Sequence, residues 1–181
     1  MITGDFVDGS GTITDKSVAP LSGIKARTFF TTGNHEMYEG IDDVLKLMDK
    51  TPVQILRNEV VVYKGVQVVG IDNPPENFNR TNDAVLHIKF DRKKPSILMY
   101  HPPQGLSDAK SAGINLQLSG HTHNGQIWPF NLFVLPFFPK INGLYDIDGM
   151  YLYVSPGTGT WGPPMRIGSR SEITLINLVK A

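Results

Sequence analysis

The stretch "SGHTHNGQ" occupies residues 119–126 and follows the alternating apolar residues of "INLQL" at 114–118. That alternation predicts a β-strand, and the glycines around the histidines predict a tight loop at its end. Two imidazoles on such a loop, those of His121 and His123, can converge on one point, as a metal ion requires. They are also compatible with two exposed polar residues in a turn, so this loop alone leaves both interpretations open.

Three further loops place polar residues directly after a short apolar stretch. They are "GDFVDG" at 4–9, "GNHE" at 33–36 and "YHPP" at 100–103. Four of the five histidines of the chain fall in these loops or in "GHTH" at 120–123. Ligands of open α/β sheets bind beyond the carboxyl ends of the strands. We therefore expect one cleft to gather Asp5, Asn34, His35, His101, His121 and His123. Glu36 is interpreted as an acidic residue in the first turn of a helix.

The remaining periodicity indicates the fold class. Apolar spacing predicts helices over 41–48, near 82–88 and over 106–112. Strands are predicted over 26–30, 96–100 and 172–178, and hairpins over 60–71 and 145–154. Helices and strands alternate early and hairpins dominate late, which predicts an α/β layered sandwich with mixed sheets. A chain of 181 residues suits a single domain over 1–181.

Composition restricts the chemistry of any site. The 17 basic residues equal the 17 acidic residues, and a formal net charge of zero argues against binding nucleic acid or an anionic membrane through overall charge. The chain has no cysteine, so a metal ion has to be held by oxygen and imidazole ligands.

The ordered set "GD", "GNHE", "HPP" and "GHTH" resembles the motifs of the calcineurin-like metallophosphoesterases. The segments "GHTHNGQIWP" and "SPGTGTWGPPMRIGSRSEITLI" resemble the membrane-associated bacterial and archaeal branch of that family. The resemblance implies that Asp5 bridges two divalent metal ions. It implies that one ion is completed by Asn34, His101 and His121, and that His123 binds the other. His35 then stabilises charge or protonates the leaving oxygen.

The resemblance also implies a function. A hydroxide activated by Mn, Fe, Zn or Ni ions would hydrolyse a phosphomonoester, a phosphodiester or a lipid pyrophosphate. Arg166, in a loop rich in glycine and proline, is a candidate ligand of the substrate phosphate, with a surface ion pair as the alternative. A non-catalytic scaffold and a lipid-binding module on the same fold are the competing functions.

One motif of the family is not found. Its Asp-x-His pair occurs nowhere in this chain. We therefore expect the first strand and helix of the domain to be missing, with one metal site complete and the other reduced to Asp5 and His123. Activity of the chain by itself is then expected to be weak or absent. Localisation stays open between the cytoplasm and a membrane, because an anchor would lie in the missing segment.

The stretch "IWPFNLFVLPFFPKI", from Ile127 to Ile141, follows the histidine loop and is rich in aromatic residues. Its three prolines argue against a long helix. It is interpreted either as a loop folded onto the core or as an apolar lip beside the cleft that contacts a membrane or an acyl chain.

Overall fold

The computed structural model describes residues 1–9, 11–73 and 84–179. The strands in these residues are β1 (Ile2–Thr3), β2 (Phe29–Thr31), β3 (Gln54–Ile55), β4 (Glu59–Tyr63), β5 (Val66–Ile71), β6 (Ser96–Tyr100), β7 (Leu116–Ser119), β8 (Gly143–Ile147) and β9 (Met150–Val154). The α-helices are α1 (Asp15–Val18), α2 (Asn34–Glu39), α3 (Ile41–Met48), α4 (Ala84–His87), α5 (Leu106–Ala112) and α6 (Asn131–Val134), and 3-10 turns cover Ala19–Gly23 and His123–Gly125. None of the helices in the described ranges has the length and apolar character needed to span a membrane.

The strands form two sheets. A three-stranded parallel sheet has the order β1-β2-β3. A six-stranded sheet has the order β4-β5-β6-β7-β9-β8, in which the inner strands are parallel and the two edge strands are antiparallel to their neighbours. The predicted α/β sandwich with mixed sheets is confirmed.

Alternate side chains of the large sheet pack against different layers. Val68 and Met99 face the small sheet and form a cluster with Phe29 and Leu56. The neighbouring Val69 and Leu98 point to the other face, where they pack against α4 and α5. Because side chains of a strand alternate between its two faces, the large sheet is buried on both sides. The layers therefore follow the order helix, sheet, sheet, helix.

Most local predictions from the sequence agree with the structure. The helices over 41–48 and 106–112 and the strand over 96–100 have the expected bounds, and the hairpin over 60–71 begins one residue early. The strands expected over 26–30 and 114–118 lie at Phe29–Thr31 and Leu116–Ser119. The helix expected near 82–88 is described only from residue 84 onward.

The strand predicted over 172–178 is wrong. The structure shows no strand there, and Ile173 and Leu175 are 91% and 85% exposed. An alternating segment becomes a strand only when a neighbouring strand accepts its backbone hydrogen bonds. No strand in the described residues pairs with this segment.

The sandwich brings the four motif loops to one edge. β1 and β2 are parallel, with Thr3 opposite Thr31, so the loops that follow them leave side by side. β6 and β7 are parallel in the large sheet. The two sheets meet at this edge, because the Thr31 hydroxyl donates to the Ile71 carbonyl at 2.8 Å. All four loops consequently follow carboxyl ends of strands, as the sequence predicts.

Substitution of Phe30 tests whether the core between the small sheet and α3 supports this edge of the sandwich. Its fully buried ring packs with Val44 and Met48 of α3, directly before the "GNHE" loop. We expect Phe30→Ala to lower the free energy of unfolding by about 3–5 kcal/mol, because it removes buried apolar surface and leaves a cavity. Chemical denaturation measures this loss. Phe133→Ala, at a phenylalanine that is 65% exposed, is the matched control and should change stability by less than about 0.5 kcal/mol. Equal losses in the two variants would contradict the assigned packing.

Candidate metal centre

The first two motif loops touch through their glycines. Gly4 has a φ of 89°, and a Cβ added to it would lie 2.5 Å from the backbone nitrogen of Gly33. A Cβ added to Gly33 would overlap the carboxylate of Asp5. Only glycine permits backbones to approach this closely. The two loops therefore hold Asp5 and Asn34 near each other.

Several positive φ angles lie at the same edge of the sandwich. Besides turns elsewhere, such as those at Lys64 and Asp148, they occur at Asp5 (51°), His121 (70°) and His123 (50°), none of which is glycine. A left-handed conformation is unfavourable for such residues and persists only where the surrounding structure imposes it. Strained backbone of this kind concentrates at functional sites.

The side chain of Glu36 joins the two loops by hydrogen bonds to the backbone of each. The residue is fully buried, and its Oε2 accepts hydrogen bonds from the backbone nitrogens of Asp5 at 2.9 Å and Gly33 at 2.6 Å. Its Oε1 accepts from Phe6 at 2.7 Å and Val7 at 3.4 Å. A buried carboxylate is costly unless hydrogen bonds satisfy it, and these four amides do so. Glu36 thus fixes the backbone that carries Asp5.

The polar side chains of the four loops converge around the carboxylate of Asp5. His101 Nε2 lies 2.9 Å from Asp5 Oδ2 and 3.1 Å from His121 Nδ1. His121 Nδ1 is 2.9 Å from Asn34 Oδ1. The potential ligand atoms of Asp5, His101 and His121 all lie within 4.8 Å of one another. One carboxylate, one amide oxygen and two imidazoles form a donor set that suits a divalent transition metal.

His101 is oriented by the small sheet. Its Nδ1 lies 2.7 Å from the carbonyl oxygen of Thr3, which can only accept, so Nδ1 carries the hydrogen. This leaves Nε2 directed at Asp5 and His121. A backbone carbonyl that fixes the tautomer in this way is typical of histidines that bind metal.

Burial and charge set the protonation of the cluster. Burial raises the pKa of Asp5, but the charge and hydrogen bond of His101 outweigh it and lower that pKa to about 2. Burial lowers the pKa of His101, but Asp5 outweighs it and the net pKa of His101 is raised. Burial and the charge of His101 lower the pKa of His121 to about 3. Near neutral pH, Asp5 is ionised and His121 is neutral, the forms in which each binds a metal ion.

His35 lies beside the cluster without joining it. Its backbone nitrogen donates to Asp5 Oδ1 at 2.9 Å, and its Nδ1 donates to the carbonyl of Asp8. The other ring nitrogen, Nε2, lies 3.9 Å from Asp5 Oδ2. Because the Nδ1 hydrogen is committed to a carbonyl, Nε2 is the nitrogen that faces the cleft, and it can give a proton to a bound molecule when the imidazole is doubly protonated.

His123 is held on the other side of the cluster by Arg166. The guanidinium donates to the His123 carbonyl at 3.2 Å and lies 3.4 Å from His123 Nδ1. Burial and the charge of Arg166 lower the pKa of His123 to about 4. Arg166 also donates to the carbonyl of Pro156 at 2.7 Å, to that of Gly159 at 3.0 Å and to the Ser169 hydroxyl at 2.9 Å. These contacts use the guanidinium to anchor the 156–169 loop, and a role in binding phosphate stays a prediction.

The structure brings together Asp5, Asn34, His101 and His121 as the sequence predicts, with His35 and His123 beside them. The role of Glu36 is not evident from the sequence. As the third residue of helix α2, Glu36 matches the pattern of a first-turn acid that bonds back to the start of its own helix. Its bonds to Asp5, Phe6 and Val7 cross about thirty residues, and no local pattern reveals them.

Glu36→Gln tests the hydrogen bonds beneath the cluster. The amide would turn a donor toward backbone donors and leave at least one buried N–H group without an acceptor. We expect the free energy of unfolding to fall by about 1–3 kcal/mol, the usual cost of an unsatisfied buried group. Chemical denaturation measures the change, with Glu39→Gln on the same helix as the matched control. Indistinguishable stabilities of the two variants would contradict the role of Glu36.

Gly33→Ala tests the contact between the loops. The added methyl group would push against Asp5, so we expect a loss of about 1–3 kcal/mol in stability from overpacking, together with weaker metal binding. Gly23→Ala is the control, because nothing lies within 4 Å of a Cβ at that position. If Gly33→Ala matched Gly23→Ala both in denaturation and in metal titration, the assigned contact would be wrong.

Comparison with known proteins agrees with this geometry. A sequence model described as calcineurin-like phosphoesterase matches residues 1–125. An uncharacterized metallophosphoesterase of Helicobacter pylori strain J99 is 37% identical over 187 residues, covering 99% of this chain and 50% of that protein. A transmembrane protein with metallophosphoesterase domain from Bos taurus is 35% identical over 202 residues, covering 100% of this chain and 46% of that protein.

A further relative, an uncharacterized metallophosphoesterase of Aquifex aeolicus, is 31% identical over 185 residues, covering 97% of this chain and 70% of that protein. The chain spans about half the length of the Helicobacter and bovine relatives. The family match covers more than half of the chain and contains all four motif loops. The chain therefore belongs to the calcineurin-like phosphoesterase family.

Proposed function

We propose that the protein hydrolyses phosphoester bonds with a divalent metal ion held by Asp5, Asn34, His101 and His121. The observation that carries this proposal is the convergence of Asp5, His101 and His121, whose ligand atoms lie within 4.8 Å of one another. Membership of a metal-dependent phosphoesterase family supports it.

The donor set fits a metal ion better than it fits a structural polar network. In neutral His101 the hydrogen lies on Nδ1, at the Thr3 carbonyl, so the lone pair of Nε2 faces the Asp5 carboxylate at 2.9 Å with no hydrogen between them. A cation shared by the cluster would satisfy both of these electron donors. Mn, Fe, Zn and Ni ions all accept such ligands. His123 beside Asp5 is proposed to hold a second ion.

When bound, a metal ion supplies Lewis acidity and positive charge for the phosphoryl oxygens. The residues of the chain supply position and a proton. Asp5 and His101 are fixed by Glu36 and by the Thr3 carbonyl, so the cleft is preorganised before substrate enters. As water adds to phosphorus and releases a proton to solvent, the ester bond breaks and the leaving oxygen takes a proton from Nε2 of the doubly protonated His35.

The substrate is proposed to be a phosphorylated small molecule or a phosphorylated lipid. Phosphomonoesters, phosphodiesters and lipid pyrophosphates all present phosphoryl oxygens to the same ligand set, so the cluster does not select among them. Arg166 takes part as a positioning residue for His123, since its guanidinium bonds to three backbone carbonyls.

Two alanine variants separate metal binding from chemistry. We expect His121→Ala to lose bound metal after dialysis, together with hydrolysis of bis-p-nitrophenyl phosphate in the presence of Mn²⁺. In a form of the protein that is extended to include the Asp-x-His pair of the family, we expect His35→Ala to keep its metal and lose roughly 10²–10⁴-fold in turnover, the range for a lost proton donor. Elemental analysis and the rate of p-nitrophenolate release give the two quantities.

His87→Ala is the control, because His87 lies on α4 outside the four loops. It should match the unmodified protein in metal content and rate. Equal metal content in His121→Ala and the control would refute the metal centre. Metal binding without hydrolysis of any phosphoester would instead favour the non-catalytic scaffold.

A further inference from the structure

Two loops beside the metal centre display aromatic side chains to solvent. The exposed fractions of Trp128, Phe130, Phe133, Phe137, Trp161 and Ile167 lie between 46% and 75%. These six residues are called the aromatic lip. A contiguous apolar surface of this kind is unfavourable in water unless it meets a partner.

The lip is an ordered surface that is built from two segments. Gln126 is buried, and its amide nitrogen and oxygen each bond to the backbone of Trp161 at 2.6 Å. The backbone nitrogen of Trp128 donates to the carbonyl of Ile167 at 2.8 Å. The ring of Phe130 stacks on Trp161 with centroids 6.4 Å apart. The fold therefore holds the aromatic side chains together while it leaves them exposed.

The aromatic stretch from Ile127 to Ile141 divides between core and surface. Phe138 and Ile141 are buried, whereas Phe133 and Phe137 are 65% and 75% exposed. The inner residues are folded onto the core, as one interpretation of the stretch expects, and contact of the exposed outer residues with a membrane or an acyl chain stays a prediction. Its inner residues complete the core, and packing within the chain leaves its outer residues uncovered.

The two segments that carry the lip contain basic residues and no acidic ones. The sequence has no aspartate or glutamate in residues 127–145 or 156–171, whereas Lys140, Arg166 and Arg170 lie within them. The net charge of the whole chain is zero, so these segments are more basic than the chain as a whole. Tryptophan and phenylalanine beside cationic side chains suit the boundary between lipid headgroups and acyl chains.

We propose that the aromatic lip binds a membrane surface that contains anionic lipids. The apolar rings enter the boundary of the acyl chains, and Lys140 and Arg170 attract the anionic headgroups, while Arg166 is committed to carbonyls of its own loop and of His123. The two segments that carry the lip adjoin the candidate metal centre, because the ring of Phe138 lies 4.9 Å from that of His121 and Arg166 contacts His123. Membrane binding here would hold the cleft near the headgroups.

The two tryptophans of the chain both belong to the lip, so their fluorescence reports on it without any substitution. We expect the emission of the unmodified protein to shift to shorter wavelength when vesicles of phosphatidylcholine and phosphatidylglycerol are added. Vesicles of phosphatidylcholine alone should give a much smaller shift, and added salt should weaken binding by screening. No shift with the anionic vesicles, or the same shift with both kinds, would overturn the proposal.

A double substitution tests the location of the surface. Phe133→Asp with Phe137→Asp should lower vesicle binding in flotation by at least about tenfold, because it replaces two inserted rings with anions. Val62→Asp with Leu86→Asp is the matched control at exposed apolar residues of β4 and α4. Circular dichroism verifies that both variants fold. Equal binding by the two variants would reject the lip, and the measurement uses neither metal nor substrate, so this result would leave the proposed hydrolysis untouched.

Discussion

The buried carboxylate of Glu36 is the interaction on which the metal centre depends. Its two oxygens accept four backbone N–H groups from Asp5, Phe6, Val7 and Gly33. These bonds join the loops after β1 and β2, and the glycines at positions 4 and 33 let the backbones meet. Without such an acceptor, the amides of both loops would have to find water in a place where water is largely excluded. The position of the Asp5 carboxylate is a consequence of this arrangement.

The charge of Asp5 then organises the histidines. It is strong enough to outweigh burial at His101 and raise the pKa of that residue, while burial keeps His121 and His123 neutral near neutral pH. A proton on His101 and a metal ion compete for the same nitrogen, because only unprotonated imidazole binds a metal. Binding of a metal ion at this nitrogen would therefore release any proton that His101 carries.

The sequence predicts the parts of this structure that local pattern controls. The helix over Ile41–Met48, the strand over Ser96–Tyr100 and the positions of the four loops follow from periodicity and from glycine and proline. The role of Glu36 and the carbonyl contacts of Arg166 depend on partners distant in the chain, so periodicity cannot reveal them. The alternation at 172–178 shows the opposite failure, since the local pattern is present and the described residues offer it no strand to pair with.

Hydrogen bonds connect the aromatic lip with the candidate metal centre. Gln126 donates a hydrogen bond to the carbonyl of Trp161, and Arg166 donates one to the carbonyl of His123. Gln126 lies next to the first segment of the lip, and Arg166 lies in the second. The first of these segments continues directly from the loop that carries His121 and His123. Both histidines have positive φ angles, which persist only where the surrounding structure supports them. The proposed membrane-binding surface and two of the residues proposed to bind metal thus lie on adjoining segments of the chain.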